Sequence, residues 1–101
     1  MKVTFERSGG FAGMLMTATV DTEILPISEA EHLCQLIQAT DFFHLPSKIV
    51  SASSQPDRFQ YKITAEDKTC HHTVLVSEAI IPDGLKPLLD WLTEIARSHR
   101  N

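Results

Sequence analysis

Arg58-Phe59-Gln60-Tyr61-Lys62-Ile63-Thr64-Ala65 alternates without a break, with Phe59, Tyr61, Ile63 and Ala65 on one face and Arg58, Gln60, Lys62 and Thr64 on the other. A period of two sustained over this length is that of a half-buried strand. Glu66-Asp67-Lys68 supplies a polar turn, after which Cys70, His72, Val74 and Val76 alternate with His71, Thr73, Leu75 and Ser77. The chain therefore returns as the second arm of a hairpin. The same signal opens the sequence. Val3 and Phe5 alternate with Lys2, Thr4 and Glu6, and Met14, Met16, Ala18 and Val20 alternate with Leu15, Thr17 and Thr19. Between these strands Ser8 leads into Gly9-Gly10-Phe11-Ala12-Gly13, a glycine loop that tolerates positive φ and carries Phe11 at its centre.

Helical spacing fills the intervals. Ser28-x-x-Glu31 has the form of a capping box, so a helix is predicted from about Glu29, with Ala30, Leu33, Cys34, Leu36 and Ile37 on its apolar face. Asp41-Phe42-Phe43-His44-Leu45-Pro46 reads as a compact apolar turn, and Pro46 disfavours helix at Leu45. Ser47 to Pro56 is serine-rich and reads as a mobile loop. Leu85, Leu88, Leu89, Leu92, Ile95 and Ala96 form a second helix behind a cap at Asp83 or Gly84, with Pro87 in its first turn. The order is strand, strand, helix, strand, strand, helix. It predicts a single α+β domain over residues 1–101, a four-stranded, mainly antiparallel sheet with both helices packed on one face.

Charge excludes several partners. The 9 Lys and Arg against 13 Asp and Glu give a net charge of -4, and the interval between Arg7 and Lys48 holds Asp21, Glu23, Glu29, Glu31 and Asp41 with no basic residue. Such a surface repels phosphate, which argues against nucleic acid and anionic membranes as partners. No apolar run approaches the roughly 20 residues that cross a bilayer, and Met1 to Glu6 lacks the apolar core of an export signal. A cytoplasmic domain, monomeric when free, is expected.

Catalytic chemistry has no evident seat. The chain has no His-Glu-x-x-His, no Gly-x-Ser-x-Gly, no phosphate-binding Gly-x-x-x-x-Gly-Lys and no Cys-x-x-Cys. Cys70-His71-His72 contains good zinc ligands, but neighbouring strand residues face opposite ways, so Cys70 and His72 share a face and His71 looks away. Two same-face ligands do not hold a metal, and nothing in the spacing brings Cys34 to them. No enzyme, cofactor or metal site is expected. Trp91 falls at the border of its helix's apolar face, where core edge and surface patch both fit. Met14 and Met16 read as packing residues.

Four stretches in order resemble those of the emfourin family of small bacterial protease inhibitors. They are Ser8-Gly9-Gly10-Phe11-Ala12-Gly13, Asp41-Phe42-Phe43-His44-Leu45-Pro46, Asp57-Arg58-Phe59-Gln60-Tyr61, and Pro82-Asp83-Gly84-Leu85-Lys86-Pro87-Leu88-Leu89-Asp90-Trp91-Leu92. The resemblance implies a slow, tight, non-enzymatic inhibitor of thermolysin-like zinc metalloproteinases of the protealysin type, kept in the bacterial cytoplasm. It would act by filling the protease's active-site cleft. The alternative is an interaction or regulatory domain that keeps the fold without inhibiting, since fold does not fix function.

Which residues would enter a cleft is argued from the residues themselves. Phe11, flanked by Gly10 and Ala12, either folds back onto the core or stands at a hairpin tip as an apolar anchor. Ser51, Ala52, Ser53 and Ser54 lie in a loop longer than a simple connection needs, which reads either as a contact or as a connector. These seven positions are the candidate protease-binding residues. The amino terminus ranks behind them, because the start of a hairpin strand and its tip lie at opposite ends of the sheet.

Overall fold

The computed structural model describes residues 1–9, 14–49 and 59–98, and its sheet grows from the two hairpins. β1 (Lys2–Gly9) and β2 (Met14–Asp21) pair antiparallel in one unbroken register, from Lys2 opposite Asp21 to Gly9 opposite Met14. Beyond them lie β3 (Lys48–Ile49), β4 (Phe59–Glu66) and β5 (His71–Ser77). The other side of β1 pairs antiparallel with β4, so the hairpins join through their first strands and the order is β2-β1-β4-β5-β3.

The sheet is five-stranded and mixed, in place of the predicted four-stranded antiparallel one. β3 makes the difference. It lies parallel to β5, and the Ser47 carbonyl accepts the Leu75 N–H at 2.8 Å. A strand of two residues contains no alternation to detect, so it is hidden at the head of the serine-rich stretch predicted to be a loop. The rest of that stretch, from Val50, lies outside the described residues.

α1 (Ile27–Thr40) begins two residues before the predicted start at Glu29. Pro26 occupies the boundary, the Ala30 N–H bonds its carbonyl at 2.9 Å, and no side chain caps the helix. The predicted capping box does not form, because Ser28 already stands inside the first turn, past the position from which a hydroxyl caps. Asp41 closes the helix at φ 53°, a left-handed conformation, and its N–H returns to the carbonyls of Gln38 and Ile37. A 3-10 turn, Phe42–His44, follows where the compact apolar turn is predicted. Another, Asp83–Leu85, leads into α2 (Lys86–Ser98), with Pro87 in the first turn as its missing N–H requires.

One face of the sheet is apolar and covered. Val3, Phe5, Val20, Tyr61, Ile63, Ala65, Val74 and Val76 form a continuous core with Leu33 and Ile37 of α1 and Leu88, Leu89, Leu92 and Ala96 of α2. Both helices therefore pack on that face. The opposite face carries Lys2, Thr4 and Glu6, Thr17 and Thr19, Lys62 and Thr64, none of them buried. Trp91 takes the core-edge place, half-buried against the cluster, with His32 edge-on at 6.1 Å between ring centres.

Candidate functional site

Antiparallel pairing fixes which segments meet at each end of the sheet. Gly9, at the end of β1, faces Met14 on one side and Phe59 on the other, so Met14, Gly9 and Phe59 form the last row. Ile49 faces Val76, which faces Tyr61, two positions inside that row on the strand. These are the residues that bracket segments 10–13 and 50–58. Both segments are consequently rooted at one end of the sheet, although they belong to different hairpins. Gly10, Phe11, Ala12, Ser51, Ala52, Ser53 and Ser54 themselves lie outside the described residues. At the opposite end the amino-terminal ammonium donates to Thr22 Oγ1 at 2.8 Å, and the tight turn from Asp67 to Cys70 closes the second hairpin.

Polar groups brace the rooted end. By alternation Arg7 belongs to the same face as Val3 and Phe5, but it lies toward the rim, half-buried, with its guanidinium carbon 4.4 Å from the centre of the Phe59 ring. A cation over an aromatic face is held by the ring quadrupole, and Arg7 also stands directly opposite Tyr61 on the neighbouring strand. Phe59 is fixed a second time through its backbone. Its N–H donates to Glu78 Oε1 at 3.1 Å, in the place where β5 would offer a carbonyl had it not turned away after Ser77. Gly9, with φ 104°, ends β1 beside this pair in a conformation that favours glycine.

Glu78→Ala should lower stability by about 1 kcal/mol, because the Phe59 N–H loses its acceptor, whereas Glu78→Gln retains an oxygen and most of the stability. Urea midpoints of the two variants check this. Equal loss in both would mean that the carboxylate charge matters and the hydrogen bond does not.

Tyr61 lies between these groups with its phenol pushed above the ordinary range. Burial is the main cause, the Glu78 carboxylate adds to it, the Arg7 charge and hydrogen bond oppose it, and Asp90 adds a little more. The folded chain thus keeps this proton at a pH where the unfolded chain has begun to release it. Stability is full below the unfolded tyrosine pKa and falls as pH rises from there toward the folded value. Tyr61→Phe should remove this alkaline loss. Unfolding midpoints of both proteins between about pH 9 and 11 test it, and tyrosinate absorbance reports the group directly because Tyr61 is the single tyrosine among 101 residues.

Neither cysteine region builds a site. Cys70 is exposed in the turn ahead of β5, and Cys34 is half-buried on α1, both as free thiols. His72 is occupied structurally, its Nε2 2.7 Å from the Leu45 carbonyl and its ring edge-on to Phe42. Among the described residues no three His, Cys, Asp or Glu side chains converge as metal ligands. No described helix is long and apolar enough to cross a membrane.

The polar brace of Arg7 and Glu78 is absent from the sequence-level candidates. A signal existed for Arg7, a charged residue in phase with Val3 and Phe5. Glu78 gave none, since its role depends on where β5 ends.

Residues 5–93 match a family model described as Emfourin, which takes in nearly all of the sheet and most of both helices. The chain belongs to the emfourin family. Emfourin is an inhibitor family, and membership implies a protease as partner. No curated protein and no solved structure matches the chain. The four stretches that carry the resemblance fall within the matched range, and the first and third of them meet at the Gly9 and Phe59 end of this emfourin's sheet.

Proposed function

We propose that the chain inhibits a protealysin-type, thermolysin-like zinc metalloproteinase by occluding its active-site cleft with the sheet end that roots segments 10–13 and 50–58. The observation that carries this reading is the shared root. Two segments far apart in sequence, one centred on Phe11 and the other containing Ser51 to Ser54, are rooted at one end of one sheet, at Gly9, Met14, Ile49 and Phe59. A cleft-filling inhibitor needs such convergence, because a standard interface takes anchors from more than one loop held in a fixed relation.

No bond is made or broken by the inhibitor. Gly10, Phe11 and Ala12 supply the apolar anchor, and Ser51, Ala52, Ser53 and Ser54 supply adaptable hydrogen bonding around it. Arg7 and Glu78 hold the roots at Gly9 and Phe59 in a fixed relation, so less entropy is lost there on association. The inhibitor is monomeric when free and is kept in the bacterial cytoplasm.

Titration of a purified protealysin-type enzyme tests the reading. Activity is expected to fall to a plateau near one equivalent of inhibitor and to fall slowly after mixing. Unchanged activity at micromolar inhibitor defeats the proposal, and binding without loss of activity favours a non-inhibitory interaction domain. Fractionation of the producing cells checks the compartment.

A further inference from the structure

Among the described residues the two edges of the sheet differ. β3 contributes Lys48 and Ile49 to one side, and Lys48 places a charge on that edge. β2 ends the other side with eight residues, Met-Leu-Met-Thr-Ala-Thr-Val-Asp, in unbroken register with β1. It has no Lys, Arg, Pro or Gly and no bulge. Proteins normally blunt such an edge, because its unpaired N–H and C=O groups template another strand.

The pairing identifies which groups are free. Thr22 and Met1 are opposite in the register, and the Thr22 N–H donates to the Met1 carbonyl at 2.9 Å. Hydrogen-bonded and non-bonded pairs alternate along an antiparallel ladder, so Met14, Met16, Ala18 and Val20 bond to β1. The Asp21 carbonyl already accepts the Ile24 and Leu25 N–H groups at 3.0 Å, whereas Leu15, Thr17 and Thr19 direct their backbone groups outward. Among the described residues no strand pairs with them.

We propose that this free edge of β2 is a second contact surface, which takes an extended backbone segment of the target protease as an added strand. The inference rests on the inhibitory reading above and extends it. Two observations choose the occupant. β2 starts at Met14, immediately after segment 10–13, so the edge continues the surface assigned to the cleft. A second copy of the chain fits poorly. In the two-fold antiparallel registers that use the strand most fully, Leu15 meets Asp21 or Thr19 of the other copy, although Leu15 is 65% exposed and is the large apolar side chain of this edge's outer face. A foreign segment can instead set an apolar residue beside Leu15 and an amide or basic group toward Asp21.

Amide exchange of the free protein and of its complex with a protealysin-type enzyme tests this without any substitution. The amides of Leu15, Thr17 and Thr19 are expected to exchange fast in the free protein and slowly in the complex, while those of Ala18 and Val20 are slow in both. Thr17→Pro and Thr19→Pro, which delete outward donors, should each weaken inhibition about tenfold, and Thr17→Ala and Thr19→Ala should leave it within about twofold, because only the backbone bond is used. Inhibition by the wild-type chain with free-state exchange at the outward amides overturns the inference and leaves the inhibitory reading standing. Proline variants that inhibit like the wild type overturn it equally. Protection of the same amides in the free protein together with a dimer in sedimentation overturns the choice of occupant. A wild-type chain that neither binds nor inhibits the enzyme removes both readings together.

Discussion

Phe5→Ala is expected to lower the free energy of unfolding by about 3–5 kcal/mol, the largest loss of stability from any single truncation proposed for this chain. Phe5 is fully buried at the middle of β1, the strand that carries both the β2 and the β4 ladders. Its ring stacks on Tyr61 at 6.0 Å between centres, so truncation empties the space beneath the core and removes the ring that Tyr61 rests on. Domains near this size are stable by roughly 5–15 kcal/mol, so the loss is a large part of the total. Urea unfolding measures it. Phe5→Leu, which keeps most of the volume, should cost below about 1.5 kcal/mol, and similar midpoints for the two variants would mean that no cavity forms. A functional consequence follows from position. Tyr61 stands opposite Arg7, and Arg7 covers Phe59, so the truncation loosens the rooted end and should weaken inhibition even under conditions where the variant is folded.

How much of this could be read from the residues depends on the range of the forces involved. The alternation of Phe59, Tyr61, Ile63 and Ala65 against Gln60, Lys62 and Thr64 reflects burial of one sheet face, and it identified β4 almost to the residue. The same holds for β1, β2 and β5. Strand order is another matter. Pairing of β1 with β4 is a contact between residues nearly sixty positions apart, and alternation states which face is buried without naming the neighbour. β3 depends wholly on its partner, since two residues parallel to β5 have no pattern of their own. The capping box at Ser28 and Glu31 failed for a local reason, as Pro26 fixed the boundary first. The candidate site shows the same division. Resemblance and loop length singled out Phe11 and Ser51 to Ser54, whereas the convergence of their roots required the register of three strands, and Glu78 required the point at which β5 turns away.

Phe11→Ala is expected to weaken inhibition by 2 kcal/mol or more, about 30-fold, while the urea midpoint stays close to that of the wild type. The two measurements belong together because the sequence allows two placements for this ring. If Phe11 serves as an anchor in the protease cleft, truncation removes buried apolar area only in the complex, and the loss falls mainly on dissociation, as for most substitutions within one interface. If it folds back onto the core instead, stability falls by the several kcal/mol of a buried aromatic truncation and inhibition follows only through unfolding. The core formed by the described residues already has its aromatic layer in Phe5, Phe42 and Tyr61, which favours the first outcome. Replacing Ser51, Ser53 and Ser54 together with alanine provides the companion measurement. Since both segments are rooted in the same sheet end, their contacts share one cleft, and the combined variant should lose less than the sum of the separate losses. Strict additivity would place the two segments on independent surfaces of the enzyme, and the single-cleft geometry would then be wrong even if each segment contributes to binding.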